Sequence, residues 1–206
     1  DSISDDAGLS GSDFITNDTA LTLHGSLGAT LADGEYAQIS IDGGVTWQNV
    51  NVTGNSWYYV DGRTLDNQTY DYYVRVVDAA GNVGSSAHQQ VTVDTVAPDA
   101  AITVTVDNIT VDTGFDNNDF LTSSTSYTLN GTLGAQLGSG EYVQVSMDGG
   151  TTWVYATVSG TQWSYSDTRT LTDGSHSYQV RVVDQAGNVG ATTSQAVTVD
   201  TQAPQY

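Results

Sequence analysis

The sequence predicts an all-β protein made of two β-sandwiches in tandem. Three observations carry that reading. First, the chain is written twice: Asp1 aligns with Asp107, and the match runs without a gap to Pro98 and Pro204. An offset of 106 residues is too long for a solenoid turn or propeller blade and suits a small domain. Second, short alternating runs are separated by Gly, Asp and Asn turns, and no amphipathic window of helical period survives the Gly and Thr content. Third, each copy carries a turn followed by Tyr-x-Val-x-Val, at Tyr72 and at Tyr178.

In the second copy the expected strands cover residues 101–106, 126–131, 141–147, 152–158, 162–167, 177–184 and 195–200. The first two are short β-branched or apolar alternations that turn residues close off. The strand at 141–147 ends in Ser146-x-Asp148-Gly-Gly150-x-Thr152-Trp153, repeated as Ser40-x-Asp42-Gly-Gly44-x-Thr46-Trp47. This motif matches the Asp-box hairpin of sialidase propellers, in which Asp caps the turn and Trp packs beneath it. Propellers need several boxes at blade spacing, so one box per copy reads as scaffold. The strands at 152–158 and 162–167 follow it. In the strand at 177–184, Tyr178, Val180 and Val182 point inward, while Gln179 and Arg181 point outward. Arg181 is then placed to pair with Glu141, as Arg75 is with Glu35. Seven short strands in about 100 residues fit an immunoglobulin-like sandwich, and Tyr72 and Tyr178 fit its tyrosine corner. The expected fold is thus two tandem immunoglobulin-like β-sandwich domains arranged end to end, covering residues 1–97 and 98–206. Residues 101–106 have no counterpart before Asp1, so the first strand of the first domain is expected to be partly missing.

Charge narrows the function. There are 24 acidic residues against four basic ones, a net charge of −20. The bases are Arg63, Arg75, Arg169 and Arg181, and all the acids but Glu35 and Glu141 are Asp. Such a surface repels nucleic acid and anionic membranes. Short-armed Asp in Gly-bearing turns suits hard cations with oxygen ligands. Without cysteine, neither disulfides nor thiolate sites are possible. A small domain without disulfides has a metal as its usual substitute staple. No apolar run reaches the length of a membrane span.

Three motifs suggest calcium. The acidic loop after the first strand keeps the frame Asp-x-Gly-x4-Asp-Phe, with Asp6 and Asp13 in one copy and Asp112, Asp116 and Asp119 in the other. The last hairpin reads Asp78-Ala-Ala-Gly-Asn82 and Asp184-Gln-Ala-Gly-Asn188. The last strand exits through Asp94 and Asp200 into Thr-x-Ala-Pro. Sandwich topology is expected to bring Asp6 and Asp13 near Asp94, facing Asp184 and Asn188. Asp112, Asp116, Asp119 and Asp200 would face a further module. None of His24, His88 and His176 is shared between copies, so no repeated catalytic constellation is read and no enzyme is expected.

Together these motifs resemble bacterial immunoglobulin-like repeats of giant secreted adhesins of the RTX type, among them biofilm adhesins and an ice-binding adhesin. The quoted segments are Asp-Asp-x-Gly…Asp-Phe-Ile-Thr, Ser-x-Asp-Gly-Gly-x-Thr-Trp, Arg-Val-Val-Asp-x-Ala-Gly-Asn and Val-Asp-Thr-x-Ala-Pro. The resemblance spans the whole chain. It implies extender repeats at the bacterial cell surface, with Ca2+ stiffening the joints. The expected partners are neighbouring repeats of the same chain, with no nucleic acid and no membrane insertion, in a monomer. The second copy departs at Val111, opposite Asp5, and gains Asp116 opposite Ser10. A rival expectation is a carbohydrate- or protein-binding module that uses exposed Tyr58, Tyr59 or Tyr155. The first and last are not repeated between copies.

Overall fold

Alternation of apolar and polar side chains sets the strands, and both repeats fold the same way. The computed structural model describes residues 1–205. The chain divides into two compact units: Asp1–Val96 with Gln185–Asn188, and Ala97–Asp184 with the chain from Val189 onward. The described residues contain no α-helix.

In the first unit one sheet runs β1 (Ser2–Ile3), β3 (Thr22–Ser26), β7 (Ser56–Val60) and β6 (Asn51–Thr53). The other runs β2 (Ile15–Thr16), β9 (Val83–Val93), β8 (Gln68–Asp78), β4 (Glu35–Ser40) and β5 (Gln48–Asn49). Leu21, Leu23, Ile39, Tyr72, Val91 and Val93 fill the space between them. The second unit repeats the plan. One sheet is β10 (Asn108–Ile109), β12 (Tyr127–Thr132), β16 (Gln162–Asp167) and β15 (Thr157–Ser159). The other is β11 (Leu121–Thr122), β18 (Val189–Val199), β17 (Gly174–Asp184), β13 (Glu141–Ser146) and β14 (Val154–Tyr155). Period-2 burial puts Tyr178, Val180 and Val182 in its core, as expected.

The structure corrects several local expectations. Residues 101–106 form only one bridge, Val104 to Leu133, and regular pairing of the first strand begins at Asn108. The Thr105 carbonyl accepts the Trp163 indole N–H at 2.9 Å, so it is not spent on a strand ladder. The expected strand at 152–158 breaks in two: β14 pairs with β13, whereas β15 pairs with β16 in the opposite sheet. The acidic loop passes from one sheet to the other through a two-residue strand that the expected strands did not include. It carries the chain from β1 across to β2, which lies parallel to β9, and from β10 to β11 beside β18.

Arg75 and Arg181 do not pair with Glu35 and Glu141. Each guanidinium donates to the opposite glutamine, Gln38 or Gln144, and lies 4.0 Å over a tryptophan ring, Trp47 or Trp153. Register decides this, because Arg75 sits opposite Gln38 while Glu35 sits opposite Asp78. Glu35 instead accepts the Ala32 N–H, and Glu141 the Gly138 N–H. The tryptophan is pinned by the Asp-box turn. Its indole N–H reaches the Gly44 carbonyl at 3.0 Å, and Gly43 and Gly44 take the positive φ the turn demands. The Thr46 side chain, with backbone N–H groups and Ser40, holds the Asp42 carboxyl down at about 2.

Candidate metal centre

The crossover loop must turn a chain through the gap between two sheets, and a carboxylate builds that turn. Asp6 Oδ2 accepts the Phe14 N–H at 3.1 Å, and Asp13 Oδ1 accepts the Ile15 N–H at 3.1 Å. Phe14 is thereby held at φ 60°, a left-handed conformation that costs a non-glycine residue roughly 1–2 kcal/mol. Its own carbonyl accepts the Thr92 N–H, which starts the parallel pairing to β9. Buried Thr16 closes the loop by donating to the Asp5 carbonyl at 2.5 Å.

The second unit reproduces this turn bond for bond. Asp112 Oδ2 accepts from Phe120, Asp119 Oδ1 from Leu121, and Phe120 sits at φ 58°. The Thr122 hydroxyl donates to the Val111 carbonyl, so the Asp5-to-Val111 change falls on a residue used through its backbone.

Each loop leaves one carboxylate oxygen buried without a partner: Asp6 Oδ1 in the first unit and Asp112 Oδ1 in the second. A buried polar atom with no hydrogen bond costs about 1–3 kcal/mol, more when charged. Burial, followed by repulsion from adjacent Asp13, raises the proton affinity of Asp6 despite the Phe14 N–H. A hard cation at Oδ1 would satisfy the orphan and relieve the repulsion, so the loop fits calcium chemistry.

The other sequence-predicted residues are placed as follows. Within the first unit, Gln185 Nε2 donates to Asp13 Oδ2 at 3.2 Å, and Asn188 Nδ2 donates to the Asp94 carbonyl at 2.8 Å. Asp94 Oδ1 accepts the Val96 N–H at 3.0 Å. Both carboxylate oxygens of Asp78 cap the turn to Asn82, whose side chain heads the interactions that lower the Asp78 proton affinity. In the second unit Asp184 is buried at the end of β17. Asp116 caps Asn118 and Asp200 caps Gln202. Among the described residues no three His, Cys, Asp or Glu side chains form a metal-holding group.

A family model for the bacterial Ig-like domain matches residues 2–95 and again 99–201. The chain belongs to the bacterial Ig-like domain family. No curated protein sequence matches it. Among solved structures it is similar to the fibronectin(III)-like modules of Clostridium thermocellum CbhA, with a TM-score of 0.55 at 10% identity, covering 95% of this chain and 96% of that one. It is also similar to a tetra-tandem repeat from the extending region of a large adhesion protein, with a TM-score of 0.31 at 19% identity over 92% of this chain and 48% of the other. The human desmocollin-1 ectodomain gives a TM-score of 0.28 at 18% identity over 83% and 31%. The chain thus spans about half and about a third of those last two structures. The first similarity supports the fold of two β-sandwiches. Bacterial Ig-like domains are typically extracellular or surface-exposed, and such folds are typically non-catalytic.

Sequence reasoning missed one charged centre in these Ig-like domains. Asp61 and Asp167 are each only 3% exposed. Arg63 Nη2 reaches Asp61 at 2.6 Å, and the buried Tyr72 hydroxyl donates to the same carboxylate at 2.7 Å. Arg169 and Tyr178 repeat the arrangement on Asp167, and Tyr178 also meets the Tyr127 hydroxyl at 2.9 Å. The tyrosine-corner hydroxyl therefore goes to a buried aspartate, not to an upstream carbonyl. Burial opposes ionisation of Asp61, but Arg63 and Tyr72 outweigh it and hold the carboxyl below its ordinary range. The available signal was Asp-x-Arg-Thr-Leu, kept in both copies.

Proposed function

We propose that these repeats are extender modules of a secreted bacterial surface adhesin of the RTX type, and that Ca2+ locks the joints between successive modules into a rod. The observation that carries the reading is the buried, unpartnered oxygen of Asp6, recurring at Asp112. A turn needs only one oxygen of that carboxylate. A second one buried and unpaired, twice, is compatible with a carboxylate that also ligates a hard cation.

In this reading Asp6, Asp13 and Asp94, together with Asp184 and Asn188, hold one ion at the joint of the two repeats. Asp112, Asp116, Asp119 and Asp200 are the matching donors toward a following repeat, and Asp78 faces a preceding one. The bound ion neutralises carboxylates that otherwise repel. This chain's own contribution is to pre-position oxygens through backbone N–H bonds, so little ordering remains to be done on binding. Calcium titration calorimetry of the chain tests the reading. We expect calcium binding that Asp6→Asn weakens at least about tenfold, or ~1.4 kcal/mol. No heat with either the parent or the variant would contradict it.

A further inference from the structure

Two of the four arginines spend their charge on buried aspartates, Arg63 on Asp61 and Arg169 on Asp167. The other two, Arg75 and Arg181, have no carboxylate within ion-pair distance among the described residues, in a chain with 24 acids. Burial opposes the charge of Arg181, and no acid offsets it. Its Nε and Nη2 both donate to Gln144 Oε1, at 3.0 and 2.8 Å. Its Nη1 makes no hydrogen bond within the described residues.

Strand register builds a surface around this cation. Tyr155, Gln144, Arg181 and Thr192 stand directly opposite one another on β14, β13, β17 and β18, so their side chains share one face of the sheet. Gln179 and Ser194 form the next row on that face. Tyr142 and Tyr155 lie with ring centroids 5.4 Å apart, and both are exposed. A shallow groove of about 470 Å3 is lined by Trp153, Gln179, Arg181, Val189, Thr192 and Ser194. No carboxylate lines it. Asp148 of the adjoining turn has its oxygens taken by Ser146, Thr151 and Thr152.

The first unit has the row without the surround. Asn49, Gln38, Arg75 and Ser86 stand opposite one another there, with asparagine in place of Tyr155. Tyr73 and His88 replace Gln179 and Ser194, with their rings stacked at 4.4 Å. His88 is paired with Asp71 at 2.7 Å, which puts a carboxylate on that face.

We infer that this face of the second unit binds a carboxylate-bearing sugar, a uronate unit of an acidic polysaccharide. Arg181 takes the carboxylate through its unspent N–H groups, in a charge-assisted contact. Thr192, Ser194 and Gln179 exchange hydrogen bonds with the ring hydroxyls, and Tyr155 takes an apolar face of the ring. The chain's net charge of −20 opposes a polyanion at long range. At about 0.15 M salt, however, charges act over only ~8 Å, so the local guanidinium decides.

The test titrates oligogalacturonate into the whole chain in buffer freed of divalent cations, which removes bridging through the acidic loops. Its methyl ester keeps the ring and hydroxyls and loses the charge, and oligoglutamate serves as a peptide control. Indole and guanidinium N–H signals are followed by NMR. The expected result is saturable shifts at Arg181 and Trp153 and none at Trp47. The ester, and the acid with Arg181→Gln, should bind at least about tenfold more weakly. Tyr155→Ser, at an exposed position outside the core, should weaken binding while leaving thermal unfolding unchanged. No shift, equal affinity for acid and ester, or binding that survives both variants would overturn the inference. So would oligoglutamate binding as tightly, since an acidic peptide would then be the occupant.

Discussion

Asp61 and Asp167 are the residues on which each sandwich depends most locally. Replacing Asp61 by Ala strands the Tyr72 hydroxyl in the core, while half-exposed Arg63 can turn to water. We expect a loss of about 2–3 kcal/mol in denaturant unfolding. Tyr72→Phe, which removes one donor and leaves the ion pair, should cost about 1–2 kcal/mol. The pH dependence has a definite sign. The folded-state affinity of Asp61 and Asp167 for protons is lowered, so their stabilisation is complete above the ordinary aspartate value of about 3.9 and is lost as pH falls through the folded value. Acid titration followed by circular dichroism should therefore show stability falling below about pH 4, and less steeply in an Asp61→Asn, Asp167→Asn double variant. Asp6 has the opposite sign. Its proton affinity is raised, so without calcium its ionisation above the ordinary value works against folding.

That difference governs the crossover loop as an element. Asp6→Asn keeps an oxygen for the Phe14 N–H but removes the charge facing Asp13. In chelator, the variant should unfold no earlier than the parent at neutral pH, and in calcium it should unfold earlier. Thermal scans under both conditions check the crossing. An Asp serving only as a turn cap would give no such inversion. The Asp-box hairpin provides the contrast. Asp42→Ala should loosen the Val45 and Thr46 amides in hydrogen exchange, and the effect should be the same with calcium or chelator. The sequence announced these elements unequally. The hairpin motif and the alternation of Tyr178, Val180 and Val182 were legible because they are local patterns. The crossing of the acidic loop between sheets was not, because β2 and β11 are two residues long and parallel to a strand far along the chain. The Arg75 partner was misread for the same kind of reason: register across the sheet, which spacing alone does not reveal, sets it opposite Gln38.

At the scale of the molecule, duplication made the fold legible before any strand was assigned. The shared family assignment of both repeats agrees with it. The candidate site was legible in part. Charge and Gly-Asp spacing led to Asp6 and Asp112, but only the folded loop reveals that one oxygen of each is spent on a turn and the other is left over. If calcium couples successive modules, its removal should act on the joint more than on either sandwich. Small-angle scattering of the chain, in calcium and then in excess chelator at the same ionic strength, tests this most directly. The proposal predicts a longer, narrower distribution of interatomic distances in calcium and a broadened, shorter one in chelator, with Asp6→Asn in calcium resembling the chelated parent. Identical distributions in both buffers would contradict it.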